Sequence, residues 1–267
     1  MERVVSAHLA FTTTHNTSIA MAVAAARNKG FHSIDETLYV TVDGVPARMH
    51  EVADLHGGRM HTITLEKPAK VVVDYSAAIA GTERPEPIDE MDLIRYVRPS
   101  RYCESDRLLP VSFAEFGDMQ GMDLLVAVRQ WVNRELSYVA GSSRPTDGAV
   151  ETFLGRQGVC RDYAHLVISL LRAKDIPARL AAVYAPGLSP MDFHAVVEAY
   201  VDGVWHVIDA TGLAPRESML RITTGRDASD TAFLSTVGGR LQLQEVGVTA
   251  TVNELPMDDA GSLTQLR

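Results

Sequence analysis

Apolar residues alternate with polar or small ones at the start of the chain: Val5, Ala7, Leu9 and Phe11 share one side, with Ser6, His8 and Ala10 between them. A period of two predicts a half-buried strand, because successive side chains on a strand point to opposite faces. A β-branched and apolar run from Thr17 to Ala25 predicts a second strand. Four more are expected at Thr37 to Val42, Val45 to His50, Arg59 to Leu65 and Lys70 to Ala80, with turns at Asp43-Gly44 and Gly57-Gly58. Short strands joined by Gly and Asp turns predict a small antiparallel β-sandwich domain over residues 1–80.

The pattern then changes twice. Residues 81–110 are rich in proline and mixed charge, and predict a linker or wrapping arm with a turn or two of helix at Asp92 to Val97. Residues 111–267 open with helical periodicity: Leu124, Leu125, Val128, Trp131 and Val132 fall on one side between Asp123 and Glu135. The period resumes from Val150 to Leu154 and is ended by Gly155 and Gly158. A further helix is predicted from Cys160 to Lys174, with Ala164, Val167, Ile168 and Leu171 as its apolar stripe and Pro177 beyond its end. Arg179 to Tyr184 reads as a strand, and His194 to Val201 and Val204 to Ala210 as a hairpin about the turn Asp202-Gly203.

Composition narrows the function. With 46% hydrophobic and 22% charged residues over 267 positions, the chain can bury an ordinary core. Its 25 basic and 34 acidic residues give a net charge of -9, which argues against a broad nucleic-acid footprint and against an anionic membrane surface. Met1 to Ala10 lacks the features of a signal peptide and no apolar run approaches the roughly 20 residues that span a bilayer, so a cytoplasmic location is expected. Two cysteines form no disulfide framework. Cys103 reads as a small buried hydrophobe.

Cys160 reads differently, because it opens a helix. Free backbone N–H groups and the positive end of the helix dipole favour a thiolate there, and the thiolate is the nucleophilic form. Gly158 just before it would let a substrate backbone approach. A two-residue hairpin turn that pairs Val201 with Val204 puts Val196 opposite Asp209, so His194 and Asp209 become same-face diagonal neighbours at roughly 7–8 Å between backbones. Glu198 shares that face but lies about 13 Å from His194 along the strand. His206 points to the other face and reads as structural. His165 lies five residues from Cys160, about 500° round the helix, and is set aside. His8, His15, His32, His50, His56 and His61 show no ligand spacing and read as surface or structural residues. A metal site built from Cys160, Asp162, His194 and Asp209 would mix soft and hard ligands, so no metal and no cofactor are expected.

The blocks Gly158-Val159-Cys160-Arg161-Asp162-Tyr163-Ala164-His165, Ile176-Pro177-Ala178-Arg179, Asp192-Phe193-His194-Ala195 and Asp209-Ala210-Thr211 resemble the transglutaminase-like superfamily, in particular its bacterial cysteine protease branch. That resemblance implies an α+β fold, with a papain-like core preceded by the β-sandwich. It also implies Cys160 as nucleophile, His194 as base and Asp209 as its orienter. Val196 or Val197 stands where members often carry a tryptophan, and Ala210 where they carry a proline. The expected reaction is acyl transfer from a peptide or side-chain amide through a thioester, ending in hydrolysis. Amine transfer, or a non-catalytic peptide-binding module, are the alternatives. The Cys160 backbone N–H is the expected oxyanion donor; Tyr138 reads as a core or interface tyrosine, with a second oxyanion contact as the other possibility.

Overall fold

The computed structural model describes residues 1–85, 87–259 and 261–267. Strands β1 (Glu2–Thr13), β2 (Thr17–Met21), β3 (Phe31–Val42), β4 (Val45–Pro46), β5 (His50–Ala53), β6 (Arg59–Leu65) and β7 (Lys70–Gly81) occupy the first part of the chain. The alternation in β1 holds: Val5, Ala7, Leu9 and Phe11 are all buried in one apolar core with Ile19, Met21, Val73 and Ile79. Asp43 and Gly44 both take positive φ, 51° and 79°, as a two-residue hairpin turn between β3 and β4 requires.

The run from Thr17 to Ala25 is a strand only as far as Met21. Beyond it, Ala22 to Ala26 stay buried while their backbone donors scatter: Ala22 N–H to the Phe233 carbonyl, Ala25 N–H to the Tyr75 hydroxyl, Ala26 N–H to the Arg221 carbonyl. The run is apolar because it is buried, not because it joins a ladder. The expected strand from Val45 to His50 is likewise split between β4 and β5.

The rest of the chain forms α1 (Glu90–Arg95), α2 (Ser105–Phe116), α3 (Gly121–Glu135), β8 (Ser137–Tyr138), α4 (Ala149–Gly155), β9 (Gln157–Gly158) and α5 (Cys160–Arg172). These are followed by β10 (Ala178–Tyr184), β11 (Phe193–Val201), β12 (Val204–Ile208), β13 (Leu220–Gly225), α6 (Ala228–Thr231), β14 (Leu234–Val237) and β15 (Leu241–Val252). The central sheet runs β12-β11-β10-β13, all antiparallel. Helix α5 packs on β10 and β11 and is itself surrounded by α2, α3 and α4. Its residues from Asp162 to Arg172 are all buried, more than the single stripe read from the sequence.

Sheet membership does not follow the expected boundaries at 80 and 110. One sandwich sheet is ordered β15-β1-β7-β3-β4 and the other β14-β2-β6-β5, so both take a strand from the far end of the chain. A twelve-residue strand such as β1 has two edges to satisfy; β7 covers one and β15 covers the other, from Arg3 opposite Val252 to Thr13 opposite Leu241. In the segment 81–110 the expected turn or two of helix is α1, starting two residues earlier, while the first turns of α2 were not expected there. Pro110 lies inside α2, where it removes one donor; the helix persists because Leu108 and Phe116 are buried and the Ser112 hydroxyl donates to the Leu170 carbonyl on α5 at 2.8 Å.

A buried ion network fastens the sandwich to the core. Arg179 on β10 and Glu198 on β11 are directly opposite and pair at 2.9 Å, while Arg221 on β13 grips the same carboxylate at 2.6 and 2.9 Å. The sandwich loop before β6 reaches in with His56, which meets Asp92 of α1 at 3.1 Å and the Arg179 guanidinium at 3.1 Å. Burial works against the charge on Glu198, but the two guanidinium groups outweigh it and hold its pKa well below the usual carboxylate range. Removing one member of such a cluster leaves the others buried with fewer partners. Glu198→Ala is therefore expected to lower stability by about 3–5 kcal/mol in urea unfolding.

Candidate active site

Cys160 stands at the first position of α5, and the start of that helix is fixed by Asp162. The Asp162 carboxylate accepts the Val159 N–H at 2.8 Å, and the Asp162 N–H returns to the Val159 carbonyl at 2.9 Å. Asp162 is itself buried and takes the Ser143 hydroxyl at 2.8 Å. A Cβ on Gly158 would stand 2.6 Å from the Asp162 Cβ, so this glycine makes room for the capping carboxylate.

The two cysteines are both free and separate as expected: Cys160 is partly exposed, whereas Cys103 is fully buried. Burial pushes the Cys103 thiol up to about 12, which leaves it inert.

His194 is the second residue of β11, and Asp209 is the first residue past β12. The hairpin register is the expected one, with Val201 opposite Val204 and Val197 opposite Ile208. His194 Nε2 meets Asp209 Oδ2 at 2.9 Å, with both residues 2% exposed. This leaves Nδ1 of the ring for the thiol. Burial alone would lower the His194 pKa, but Asp209 raises it through charge and a hydrogen bond, and the Cys160 side chain adds to this in the same two ways; the result lies near 10. Asp209 is correspondingly lowered: burial opposes its charge, and His194 and Thr211 together overcome that.

The other oxygen of Asp209 is occupied. Thr211 donates to Oδ1 from its backbone N–H at 2.8 Å and its hydroxyl at 2.7 Å. The loop that carries Asp209 is tied to α3: Arg129 Nε donates to the Asp209 carbonyl at 2.9 Å and Asn133 Nδ2 to the Ala210 carbonyl at 2.8 Å. Sequence reading took α3 as a core helix only. Arg129 and Asn133 are four residues apart and share a face, a polar stripe beside the apolar one that was available as a signal.

The residues set aside at sequence level have other work. Glu198 belongs to the ion network, and His206 sits opposite Ala199 rather than near the thiol. His165 is buried in α5, stacks on Tyr102 at 5.4 Å and accepts the Ala228 N–H on Nε2 at 3.1 Å. Burial drives its pKa down to about 3, so it is a neutral structural acceptor.

A thiol at a helix start, an imidazole held by a buried carboxylate and an antiparallel sheet behind them define a papain-like arrangement of side chains. The model of the transglutaminase-like superfamily matches residues 114–210. A solved structure from Cytophaga hutchinsonii, described as a "Putative Cysteine Protease", is 31% identical, covers 98% of this chain and 96% of its own, and has a TM-score of 0.87. An uncharacterized protein of Mycobacterium leprae is 23% identical over 243 residues, 80% of this chain and 85% of that one. The periplasmic domain of TgpA from Pseudomonas aeruginosa is 20% identical over 77% of this chain and 90% of its own, with a TM-score of 0.43. The chain belongs to the transglutaminase-like superfamily. Its α+β fold, with a β-rich N-terminal region, is the one the sequence led us to expect. At the level of the family this supports a cysteine-dependent enzyme.

The raised pKa of His194 has a pH signature. A group whose folded pKa lies above its ordinary value of 6.5 contributes stability in full below about 6.5, and loses it as the pH climbs towards about 10. The melting-temperature gap between wild type and His194→Gln is expected to be widest below pH 6.5 and to narrow through that window, read by thermal melts at a series of pH values.

Proposed function

We propose that the protein transfers acyl groups from peptide or side-chain amides through a Cys160 thioester, with water as the usual acceptor, so that it acts as a cysteine protease or amidase. The observation that carries this reading is the buried His194–Asp209 pair, 2.9 Å apart, set against the Cys160 thiol at the start of α5. His194 keeps its proton through neutral pH and faces the Cys160 sulfur at the helix start. The thiolate attacks the amide carbonyl, and the C–N bond breaks as the imidazolium passes its proton to the leaving amine. The neutral imidazole then takes a proton from water, which attacks the thioester and frees the acid, restoring the thiolate beside the imidazolium. Asp209, with one oxygen committed to Thr211, uses the other to hold the ring in the tautomer that serves both steps.

Water is preferred as acceptor because the thiol is partly exposed and Tyr138, level with Gly158 just before the start of α5, is exposed as well. An amine acceptor would need a binding site of its own.

Iodoacetamide near neutral pH is expected to label Cys160 and leave Cys103 untouched, read by peptide mass spectrometry; equal labelling would remove the nucleophile from this account. With glutamine-containing peptides, hydrolysis is expected with and without an added primary amine. Amine incorporation in place of hydrolysis would assign a transglutaminase reaction, and no covalent intermediate at all would assign a binding module. Cys160→Ala is expected to abolish turnover, and Asp209→Asn to lower kcat by roughly 10²-fold or more, since it loses the fixed tautomer.

A further inference from the structure

β12 is the outer strand of the central sheet, and Asp209 follows its last residue. Whatever holds that strand end sets where the Asp209 carboxylate stands. Bonded and unbonded pairs alternate along an antiparallel ladder, and Val207, opposite Glu198, belongs to an unbonded pair whose peptide groups face away from β11. Both groups find partners on the far side. The Val207 N–H donates to the Thr264 carbonyl at 2.7 Å, and the Arg216 guanidinium donates to the Val207 carbonyl at 3.3 Å.

Arg216 is fully buried, and its other bonds go to chain that lies beyond β15. It donates to the Asp258 carboxylate from Nη2 at 2.7 Å and from Nε at 3.0 Å. Nη2 also donates to the Asp259 carbonyl at 2.7 Å and the Ser262 carbonyl at 3.0 Å. A guanidinium is a planar fork, so it fixes the Val207 carbonyl against several points at once, which a single ladder bond does not.

The same stretch of chain closes a small apolar core on the sheet. Leu266 joins Val183, Val196 and Val207 there, all of them buried. Side chains alternate along a strand, so Val196 shares a face with His194, and Val207 with Asp209. The imidazole and its carboxylate thus stand on the sheet face that this core covers. From the side of α3, Arg129 holds the Asp209 carbonyl. Burial and the Arg216 charge lower the Arg129 pKa, while Asp209, Asp258 and Asp259 support its charge, so the acids that meet Arg216 also serve the second arginine at this strand end.

We propose that Arg216 is a positioning residue: by pinning the outer edge of β12 at Val207, it holds Asp209 where the carboxylate meets His194, and it acts on the reaction through Asp209. The inference rests on the thiol acyl-transfer reading given above.

Turnover of p-nitrophenyl acetate reads the pair, because the ester acylates Cys160 and water must then remove the acetyl group with His194 as base. Arg216→Met keeps the stem and removes the donors. It is expected to lower kcat about 10-fold with KM unchanged, within the roughly 10²-fold that a misplaced catalytic group can cost. In an Asp209→Asn background the same substitution is expected to have no further effect on kcat, since the two changes break one linkage. Iodoacetate gives a second readout. It is an anion drawn by the imidazolium, so its reaction with Cys160 slows as His194 loses its proton. Burial lowers the His194 pKa and Asp209 raises it, so in Arg216→Met that slowing is expected at lower pH than in the wild type. Asp258→Asn, which leaves Arg216 in place, is expected to move both readouts in the same direction by a smaller factor, and it decides alone if Arg216→Met does not fold.

The proposal is overturned if the variants melt earlier but keep the wild-type kcat and iodoacetate profile, if the effects of Arg216→Met and Asp209→Asn multiply, or if KM alone changes. Failure of the acyl-transfer reading looks different: wild-type Cys160 would then release no p-nitrophenolate above a Cys160→Ala control, and the proposal would fall with it.

Discussion

A protonated imidazole and an ionised carboxylate, each 2% exposed, can coexist in a protein interior only if every remaining charge and lone pair is met. That demand shapes much of what surrounds His194 and Asp209. It accounts for Thr211, which places two donors on the carboxylate oxygen that the ring does not use. It accounts also for Arg129 and Asn133, which tie down the backbone just past β12, where no ladder bonds remain to hold it. The same pairing keeps the imidazole charged and so maintains a proton donor beside the thiol across neutral pH.

Cys160 is held by a separate device. Asp162 closes the first turn of α5 from below and Ser143 closes it from the side, while β8 and β9 bring a second strand of chain alongside. The cysteine is therefore presented on a helix whose following residues are buried, and His194 on a sheet that is fastened to the sandwich where His56 meets Arg179 and Asp92. Helix and sheet pack directly, so the separation of Cys160 and His194 is set by the core and not by a loop. Sites built on such elements keep their geometry better than sites built on loops.

The sandwich is part of this frame and not an appendage. It takes β14 and β15 from the chain that leaves the core, gives His56 to the ion network and receives Tyr184, Phe193 and Ile222 from the central sheet into its own apolar core. A chain that leaves and re-enters a domain in this way cannot be divided at two points along its length.

The geometry of the candidate site was largely legible in the sequence because its determinants are local. Cys160 precedes a helical period, and the Asp202-Gly203 turn counts residues, so the facing of His194 and Asp209 followed from the number of positions between them. The alternation in β1 was legible for the same reason. What remained hidden were partners: which strand covers the free edge of β1, and which carbonyls Arg129 and Asn133 hold. Periodicity fixes the face a residue presents, since that depends on the backbone it belongs to. Tertiary structure alone decides what that face meets, because the partner lies far along the chain and is chosen by packing and by the need to satisfy buried polar groups.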